Sequence, residues 1–271
     1  MDEGGDRIEV RKTYKLFISG EFPRSESGRS YEADGVRAAL ASRKDLRDAV
    51  TAARGALDGW RGRTAYNRGQ ILYRVAEIMQ GRRAQFVAEG AEPEEVDAAI
   101  DRWVWYAGWS DKIAQVAGSV NPVAGPYFDF TVPEPVGVVG IAALESPALL
   151  GLVSRLAPVL TGGNVAVVLA SETRPRTAVT MAEVLATSDV PPGVVAILTG
   201  RRGELLPWLA AHHDVDALDL TGAPSELIGG LEAAAADSVT RLVRSTHPLA
   251  ESPDDVVAFL EMKTVWHPIG R

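Results

Sequence analysis

Five short apolar segments between residues 136 and 243 constrain the fold of this chain more than any other feature. The first, residues 136–141, is a continuous apolar run of the kind found in strands buried on both faces. The other four segments are residues 165–169, 194–198, 216–220 and 239–243. Helical patterns separate them at residues 147–160, 177–186, 203–211 and 224–236. This alternation predicts βαβ units in an α/β fold, with a doubly wound parallel sheet that binds ligands at the carboxyl ends of its strands.

The first half of the chain predicts a short strand followed by three helices. Asp45 has the side-chain chemistry of an N-cap and is placed at the start of the first helix. Proline is favoured in the first turn of a helix, so Pro93 is placed at the start of the third. The predicted spans are 14–18 for the strand, and 45–59, 66–87 and Pro93 to Ile113 for the helices.

Four aromatic residues cluster in the third helix, namely Trp103, Trp105, Tyr106 and Trp109. One interpretation is an aromatic cage that binds a ligand. The other is that the rings pack this helix onto its neighbours. Aromatic residues at helical spacing usually belong to the core, so we expect packing.

Charge and composition exclude several kinds of partner. The chain has a formal net charge of −8, which argues against nucleic acid and anionic membranes as partners. No apolar run reaches the length of a membrane span, and the acidic start of the chain is unlike a signal peptide. With no cysteine among 271 residues, there is neither a disulfide framework nor a thiolate metal site. We therefore expect a cytoplasmic protein.

Two short polar motifs are candidates for binding sites. His212, His213 and Asp214 suggest a metal site, but adjacent histidines point in different directions and chelate poorly, so no metal is predicted. Arg201 and Arg202 are interpreted as a solvated turn, with an anion site as the alternative. The sequence contains neither a Gly-x-Ser-x-Gly elbow nor a Walker-type phosphate loop.

Several motifs in order along the chain resemble those of the aldehyde dehydrogenase superfamily. An opening strand and turn at residues 16–22 and an apolar tail at residues 259–266 match the two ends of the family pattern. Between them the matching motifs are Pro135-Val136-Gly137-Val138-Val139-Gly140, Ala157-Pro158, Gly163-Asn164, Ser171-Glu172, Pro191-Pro192-Gly193-Val194, Gly200 and Leu220-Thr221-Gly222. The match covers nearly the whole chain. Within the superfamily, the chain most resembles shortened, cysteine-free members and the non-catalytic half of family-16 aldehyde dehydrogenases.

The catalytic residues of the family have no counterparts here. The resemblance implies a cysteine nucleophile, and the chain has none. It implies a glutamate base in a Glu-Leu-Gly-Gly segment, but here the corresponding strand ends at Arg244 and a short linker leads to the tail, so the catalytic domain is missing. The oxyanion asparagine of the family corresponds to Ser146, or to Glu145 if the alignment slips by one residue. No catalytic residue is therefore predicted.

The cofactor site implied by the resemblance is eroded. Leu169 replaces a lysine that binds ribose, Arg202 replaces a glycine, and Ala223 replaces a helix-start serine, followed by Pro224, which has no N–H group. NAD(P) is thus a vestigial cofactor at most. The residues that remain to bind it are Ser171, Glu172, Gly200, Thr221 and Gly222. For Glu172 the alternatives are ribose binding and a solvated loop carboxylate.

The resemblance also implies an architecture: a Rossmann-like cofactor domain with N-terminal helices and a small β element used for oligomerisation. The predicted divisions are a disordered N-terminus at 1–13, the main domain at 14–244 with an oligomerisation strand near 126–132, a linker at 245–255, and a C-terminal oligomerisation strand at 256–271. The apolar C-terminal strand has no catalytic domain to pair with, so we expect it to add to a sheet in another chain.

Selective loss of catalytic residues, with retention of assembly strands, predicts a catalytically inactive subunit. It would form a homo- or hetero-oligomer with a full-length aldehyde dehydrogenase and support or regulate it. Two alternatives remain open at this point: a module that binds or senses NAD(P) weakly, and a residual oxidoreductase that acts on aldehydes with another nucleophile.

Overall fold

A small three-stranded sheet begins the chain in the computed structural model, which describes residues 10–270. Its strands are β1 (Thr13–Tyr14), β2 (Ser30–Ala33) and β3 (Val36–Ala39), in the order β1-β3-β2. The predicted strand at 14–18 is therefore shorter than expected, although Phe17 forms an isolated bridge with Ile197. Of the segment 1–13 expected to be disordered, residues 1–9 lie outside the described residues, and Thr13 belongs to β1.

Five helices follow, where three were predicted. The second predicted helix is divided at Arg82, whose φ of −103° departs from helical geometry. The third begins at Pro93 as predicted but ends at Trp109, so Ile113 lies in a separate helix. The helices are α1 (Arg43–Arg61), α2 (Ala65–Gly81), α3 (Arg83–Ala88), α4 (Pro93–Trp109) and α5 (Ile113–Ala117).

The N-cap of α1 is Ser42, and the prediction of Asp45 was wrong. The Ser42 hydroxyl accepts hydrogen bonds from the N–H groups of Lys44 and Asp45, and the Asp45 carboxylate accepts one from the Ser42 N–H. This reciprocal arrangement is a capping box, in which the acidic residue stands three positions after the cap. Asp45 therefore stabilises the helix start from inside the first turn.

The aromatic cluster of α4 packs into the core, as predicted. Trp103 and Tyr106 are fully buried, and Trp105 and Trp109 pack against the core while partly exposed. The Trp105 ring meets that of Tyr106 edge to face, with centroids 4.7 Å apart. These rings therefore hold α4 in place against the rest of the domain.

The central sheet has five parallel strands, which confirms the predicted fold class. Two strands of another sheet precede it, β4 (Ser119–Asn121) and β5 (Tyr127–Pro135). The helix predicted from Pro224 starts later, because a 3₁₀ turn occupies Ser225–Leu227. The elements are β6 (Val138–Ala142), α6 (Ala148–Thr161), β7 (Val165–Leu169), α7 (Pro175–Ala186), β8 (Val195–Leu198), α8 (Arg202–Ala210), β9 (Ala217–Asp219), α9 (Ile228–Ala236) and β10 (Arg241–Val243).

The end of the chain contains a helix inside the segment predicted as a strand. Helix α10 covers Asp254–Val257, and β11 covers Leu260–Pro268. Aspartates in the first turn of α10 suit the helix dipole and favour a helix where the valines had suggested a strand. The last two residues of the predicted linker 245–255 therefore belong to α10.

Strand β11 pairs with a strand of its own chain, β5. It runs antiparallel to β5 from Leu260 opposite Pro135 to Pro268 opposite Tyr127, and β4 pairs with the other side of β5. This gives a three-stranded sheet in the order β11-β5-β4. The expectation that the C-terminal strand would need another chain as its first partner was therefore wrong.

The connector, residues 244–253, is anchored where it crosses the helices. The Arg102 guanidinium donates to the carbonyls of Leu249, at 2.7 Å, and Ala250, at 3.3 Å. In the same region, buried Arg155 of α6 lies 2.6 Å from Asp219 and 2.7 Å from Asp255. The passage from β10 to β11 is thus fixed to the core by two arginines.

Candidate functional site

The carboxyl end of the parallel sheet is the candidate site. The strand order is β10-β9-β6-β7-β8, so the chain moves outward from β6 through β7 to β8 and then returns to the other side of β6 with β9. The topological switch point therefore lies between β6 and β9. Ligands of open parallel sheets bind in the crevice at such a point.

The guanidinium group of Arg202 occupies this switch point. It donates to the carbonyl oxygens of Ala143, which follows β6, and of Gly222, which lies beyond β9, the latter at 2.7 Å. It also donates to the carbonyl of Ala170, which follows β7, at 3.1 Å. Only 3% of the Arg202 side chain is exposed. Burial lowers the pKa of this guanidinium, and the carboxylates of Glu145 and Glu172 oppose that effect.

Glu145 supplies the opposite charge. One of its carboxylate oxygens lies 2.9 Å from Nε of Arg202. The carboxylate also accepts hydrogen bonds from the Ser171 hydroxyl at 2.7 Å and the Glu172 N–H at 3.0 Å. Burial alone would raise the pKa of Glu145, but the hydrogen bonds from Glu172, Ser171 and Thr173 and the charge of Arg202 lower it overall.

Glu172, the candidate ribose-binding carboxylate, is engaged by the protein itself. It lies 2.6 Å from the Arg201 guanidinium and accepts a hydrogen bond from the Arg202 N–H at 3.0 Å. Arg201 lies at the surface, above the Tyr31 ring, 5.1 Å from its centroid. The prediction of a solvated turn thus holds for Arg201 and was wrong for Arg202.

The remaining cofactor candidates have similar internal roles. Gly200 is buried, with a φ of +155° that favours glycine. The Thr221 hydroxyl accepts a hydrogen bond from the N–H of Ser245, which belongs to the connector, at 3.0 Å. A Cβ atom at Gly222 would overlap the carbonyls of Ala142 and Ala143, so the ends of β6 and β9 touch directly.

The two candidates for the oxyanion position, Glu145 and Ser146, lie in different environments. Glu145 is part of the ionic cluster formed with Arg202, whereas Ser146 is exposed. Sequence reasoning identified the substitution at Arg202 but missed its contacts with the strand ends. An arginine two residues after the buried Gly200, at the start of α8, was the available signal.

This arrangement does not fit a dinucleotide. The guanidinium of Arg202 fills the switch point, and the carboxylates of Glu145 and Glu172 would repel a diphosphate placed there. Pro224, which has no N–H to donate, immediately precedes the 3₁₀ turn Ser225–Leu227, and α9 starts only at Ile228. The residues at this edge therefore bind one another through hydrogen bonds and ion pairs and do not form a phosphate-binding site.

Residues 10–270 offer neither a metal centre nor a membrane-spanning helix. Among them there is no group of three or more metal-ligating side chains, and Nδ1 of His212 accepts a hydrogen bond from the Asp214 N–H at 3.2 Å. No helix within this part of the chain is long and apolar enough to cross a membrane.

Comparisons with known sequences point to one family. The profile described as the aldehyde dehydrogenase family matches residues 32–243. Cytosolic aldehyde dehydrogenase 1 of Elephantulus edwardii is 32% identical over 257 residues, which cover 87% of this chain and 50% of that protein. Retinal dehydrogenase 2 of Homo sapiens is 33% identical over 235 residues, covering 79% of this chain and 45% of that protein.

Solved structures give the same result for the fold. HpcC from Thermus thermophilus superposes with a TM-score of 0.81 at 29% identity, covering 86% of this chain and 48% of that one. The NAD⁺ complex of an aldehyde dehydrogenase from Bacillus cereus gives a TM-score of 0.77 at 25% identity, covering 85% and 50%. This chain spans about half the length of the relatives that it matches.

Proposed function

Because the chain belongs to the aldehyde dehydrogenase family, we propose that it is a catalytically inactive subunit that assembles with, and supports or regulates, an active NAD(P)-dependent relative. The chain has no cysteine to attack an aldehyde. Its connector runs directly from β10 to α10, where the family resemblance would place the catalytic segment. The partner is a full-length aldehyde dehydrogenase, in a homo- or hetero-oligomer.

An uncovered apolar face on the three-stranded sheet carries this proposal. Cross-strand neighbours lie on one face of a sheet, and Val120, Phe130 and Val265 are aligned across β4, β5 and β11. Phe128 and Val132 lie on the same face, two residues to either side of Phe130 in β5. These five residues form the apolar face, and all but the half-buried Phe130 are exposed. The ion pair between Lys263 and Glu134, at 3.0 Å, borders them on the same side of the sheet. A contiguous exposed apolar patch is typical of an interaction surface.

The opposite face of the same sheet combines a polar network with the exposed side chains of Tyr127, Met262 and Trp266. The Asn121 side chain donates to the Asp129 carboxylate at 2.7 Å and to the Thr131 hydroxyl at 3.0 Å. The hydroxyls of Thr131 and Thr264 lie 3.2 Å apart. The residues of the apolar face take no part in this polar network, which supports docking through that face.

Strand β11 adds an open edge beside the apolar face. It pairs with β5 on one side, and no strand within residues 10–270 pairs with its other side. Its residues beyond Glu261 are exposed. An exposed edge strand of this length can accept a strand from another chain by β-augmentation.

A charge on the apolar face tests the proposal. V265E is expected to abolish co-purification with a co-expressed full-length aldehyde dehydrogenase, because docking would bury the new carboxylate without a partner. V104E is a matched control: Val104 on α4 and Val265 are both 41% exposed. Retention of the complex by V265E, or equal loss in both variants, would contradict docking through this face.

The closed switch point disfavours the other functions considered. A sensor of NAD(P) would need the crevice that Arg202 fills. A residual oxidoreductase would need a nucleophile beside a cofactor, and Ser146, at the candidate oxyanion position, is exposed. We further propose that the subunit is cytoplasmic, in keeping with the cytosolic enzyme named among its relatives.

A further inference from the structure

We infer that Arg202 acts as a built-in substitute for a dinucleotide, holding the ends of three strands together at the switch point. The inference concerns the closed crevice and is independent of assembly through the three-stranded sheet.

The hydrogen bonds of Arg202 give the first argument. A guanidinium is a planar fork of five N–H donors and has no acceptor. Here it donates to three carbonyls that follow three different strands, those of Ala143, Ala170 and Gly222. Carbonyls at the ends of buried strands need partners, since an unpaired buried polar group is destabilising. One side chain thus satisfies positions that are spread across the sheet edge.

The charges give the second argument. Glu145 and Glu172 stand beside Arg202 and Arg201, so two carboxylates are matched by two guanidinium groups within the cluster. A cationic crevice awaiting a diphosphate would instead carry an excess of positive charge. The cluster is balanced without a ligand, and an added diphosphate would face both carboxylates.

The local backbone gives the third argument. The N–H of Arg202, at the first position of α8, donates to Glu172, so the first turn of this helix already has its anion. The close approach of Gly222 to the carbonyl of Ala143 leaves no gap between β6 and β9. The first turn of α8 and the space between the ends of β6 and β9 could each hold a phosphate group, and the protein's own residues occupy both.

Thermal unfolding of the full chain tests the inference. R202A is expected to lower Tm by about 10 °C, because it removes the ion-pair partner of Glu145 and the donor to three carbonyls. R201A is the matched control, since the neighbouring Arg201 side chain is 48% exposed and makes one ion pair to Glu172. It is expected to lower Tm by no more than about 2 °C. Equal Tm values for R202A and R201A would overturn the inference.

A rescue experiment separates the guanidinium from general packing. Methylguanidinium at about 10 mM is expected to raise the Tm of R202A while leaving wild type unchanged, because it binds the vacated position only in the folded variant. If R202A does not fold, R202K is compared with wild type instead. An ammonium cannot reach all three carbonyls, so a Tm equal to that of wild type would contradict the inference.

A nucleotide titration needs no variant. Wild type is expected to show no Tm shift with about 5 mM NAD⁺, NADH or NADP⁺, because a ligand stabilises only a protein that binds it. A saturable increase in Tm with any of these nucleotides would overturn the inference. That result would leave assembly through the apolar face to be judged by V265E alone.

Discussion

Among single residues, Glu145 is the one whose ionisation the switch-point cluster depends on. Its carboxylate meets Arg202 and accepts hydrogen bonds from the Ser171 hydroxyl and the Glu172 N–H. These contacts favour the charged form and hold the pKa of Glu145 below its ordinary value in the folded state. The stability that the cluster contributes therefore depends on pH in the acidic range.

The lowered pKa of Glu145 predicts how the stability of the protein changes with pH. A depressed folded-state pKa stabilises the protein above the ordinary glutamate pKa of about 4.3, and the contribution is lost as pH falls through the folded value. Urea unfolding of E145Q is expected to show a deficit of about 1 kcal/mol at neutral pH, kept small because the carboxylate is half-exposed. The deficit should shrink below pH of about 4. A deficit that stays constant down to pH of about 3 would contradict this account, and E226Q, at an exposed site, is the control.

Residue-scale features were only partly predictable from sequence. Ser42 and Asp45 have the spacing of a capping box, which identifies the cap once the pair is considered together. The contacts of Arg202 were not predictable in this way, because they join carbonyls at 143, 170 and 222 that meet only in the folded sheet. An arginine at the start of a helix is normally solvated, and the burial of Arg202 depends on distant residues.

At the level of elements, the connector is the least ordinary part of the fold. Residues 244–253 form no regular helix or strand, yet Arg102 binds two of their carbonyls. Immediately after the connector, Asp255 of α10 pairs with Arg155 of α6, which also pairs with Asp219 at the end of β9. The Thr221 N–H and the Tyr106 hydroxyl also donate to Asp219 and Asp255, but Arg155 is the ion-pair partner of both carboxylates.

Removal of Arg155 is expected to loosen the connector. R155M should reduce the free energy of unfolding by about 3–5 kcal/mol, because it leaves Asp219 as an uncompensated buried charge. R244A is the control, since Arg244 and Glu232 are exposed and 3.9 Å apart, and it should change stability by less than about 0.5 kcal/mol. Hydrogen exchange should show lost protection in α10 for R155M only. Unchanged exchange there would show that other contacts hold the connector.

The elements themselves were predicted unevenly. Strand β7 has the bounds expected from its apolar run, because a strand buried on both faces leaves a clear pattern. The hairpin of β2 and β3 was missed although Asp34 and Gly35, both with positive φ, form an Asp-Gly turn that sequence rules recognise. Helix α10 was missed because its valines resemble a strand, and the signal lay in Pro253 and the aspartates after it.

At the scale of the whole molecule, two sheets have different relations to function. The fold resembles that of the aldehyde dehydrogenase from Bacillus cereus solved with NAD⁺, but in this chain Arg202 and Glu145 close the ligand edge of the parallel sheet. The three-stranded sheet keeps one uncovered apolar face and one open edge. The parallel topology followed from the alternation of segments. The pairing of β11 with β5 did not, because it joins strands separated by most of the cofactor-type domain.

The mass of the assembled protein tests the central claim most directly. Light scattering after size exclusion should be measured on the full chain co-expressed with a full-length, cysteine-bearing aldehyde dehydrogenase. We expect both chains in one peak whose mass exceeds that of either alone. The chain eluting by itself as a monomer of 28.9 kDa, with the dehydrogenase in a separate peak, would contradict the account.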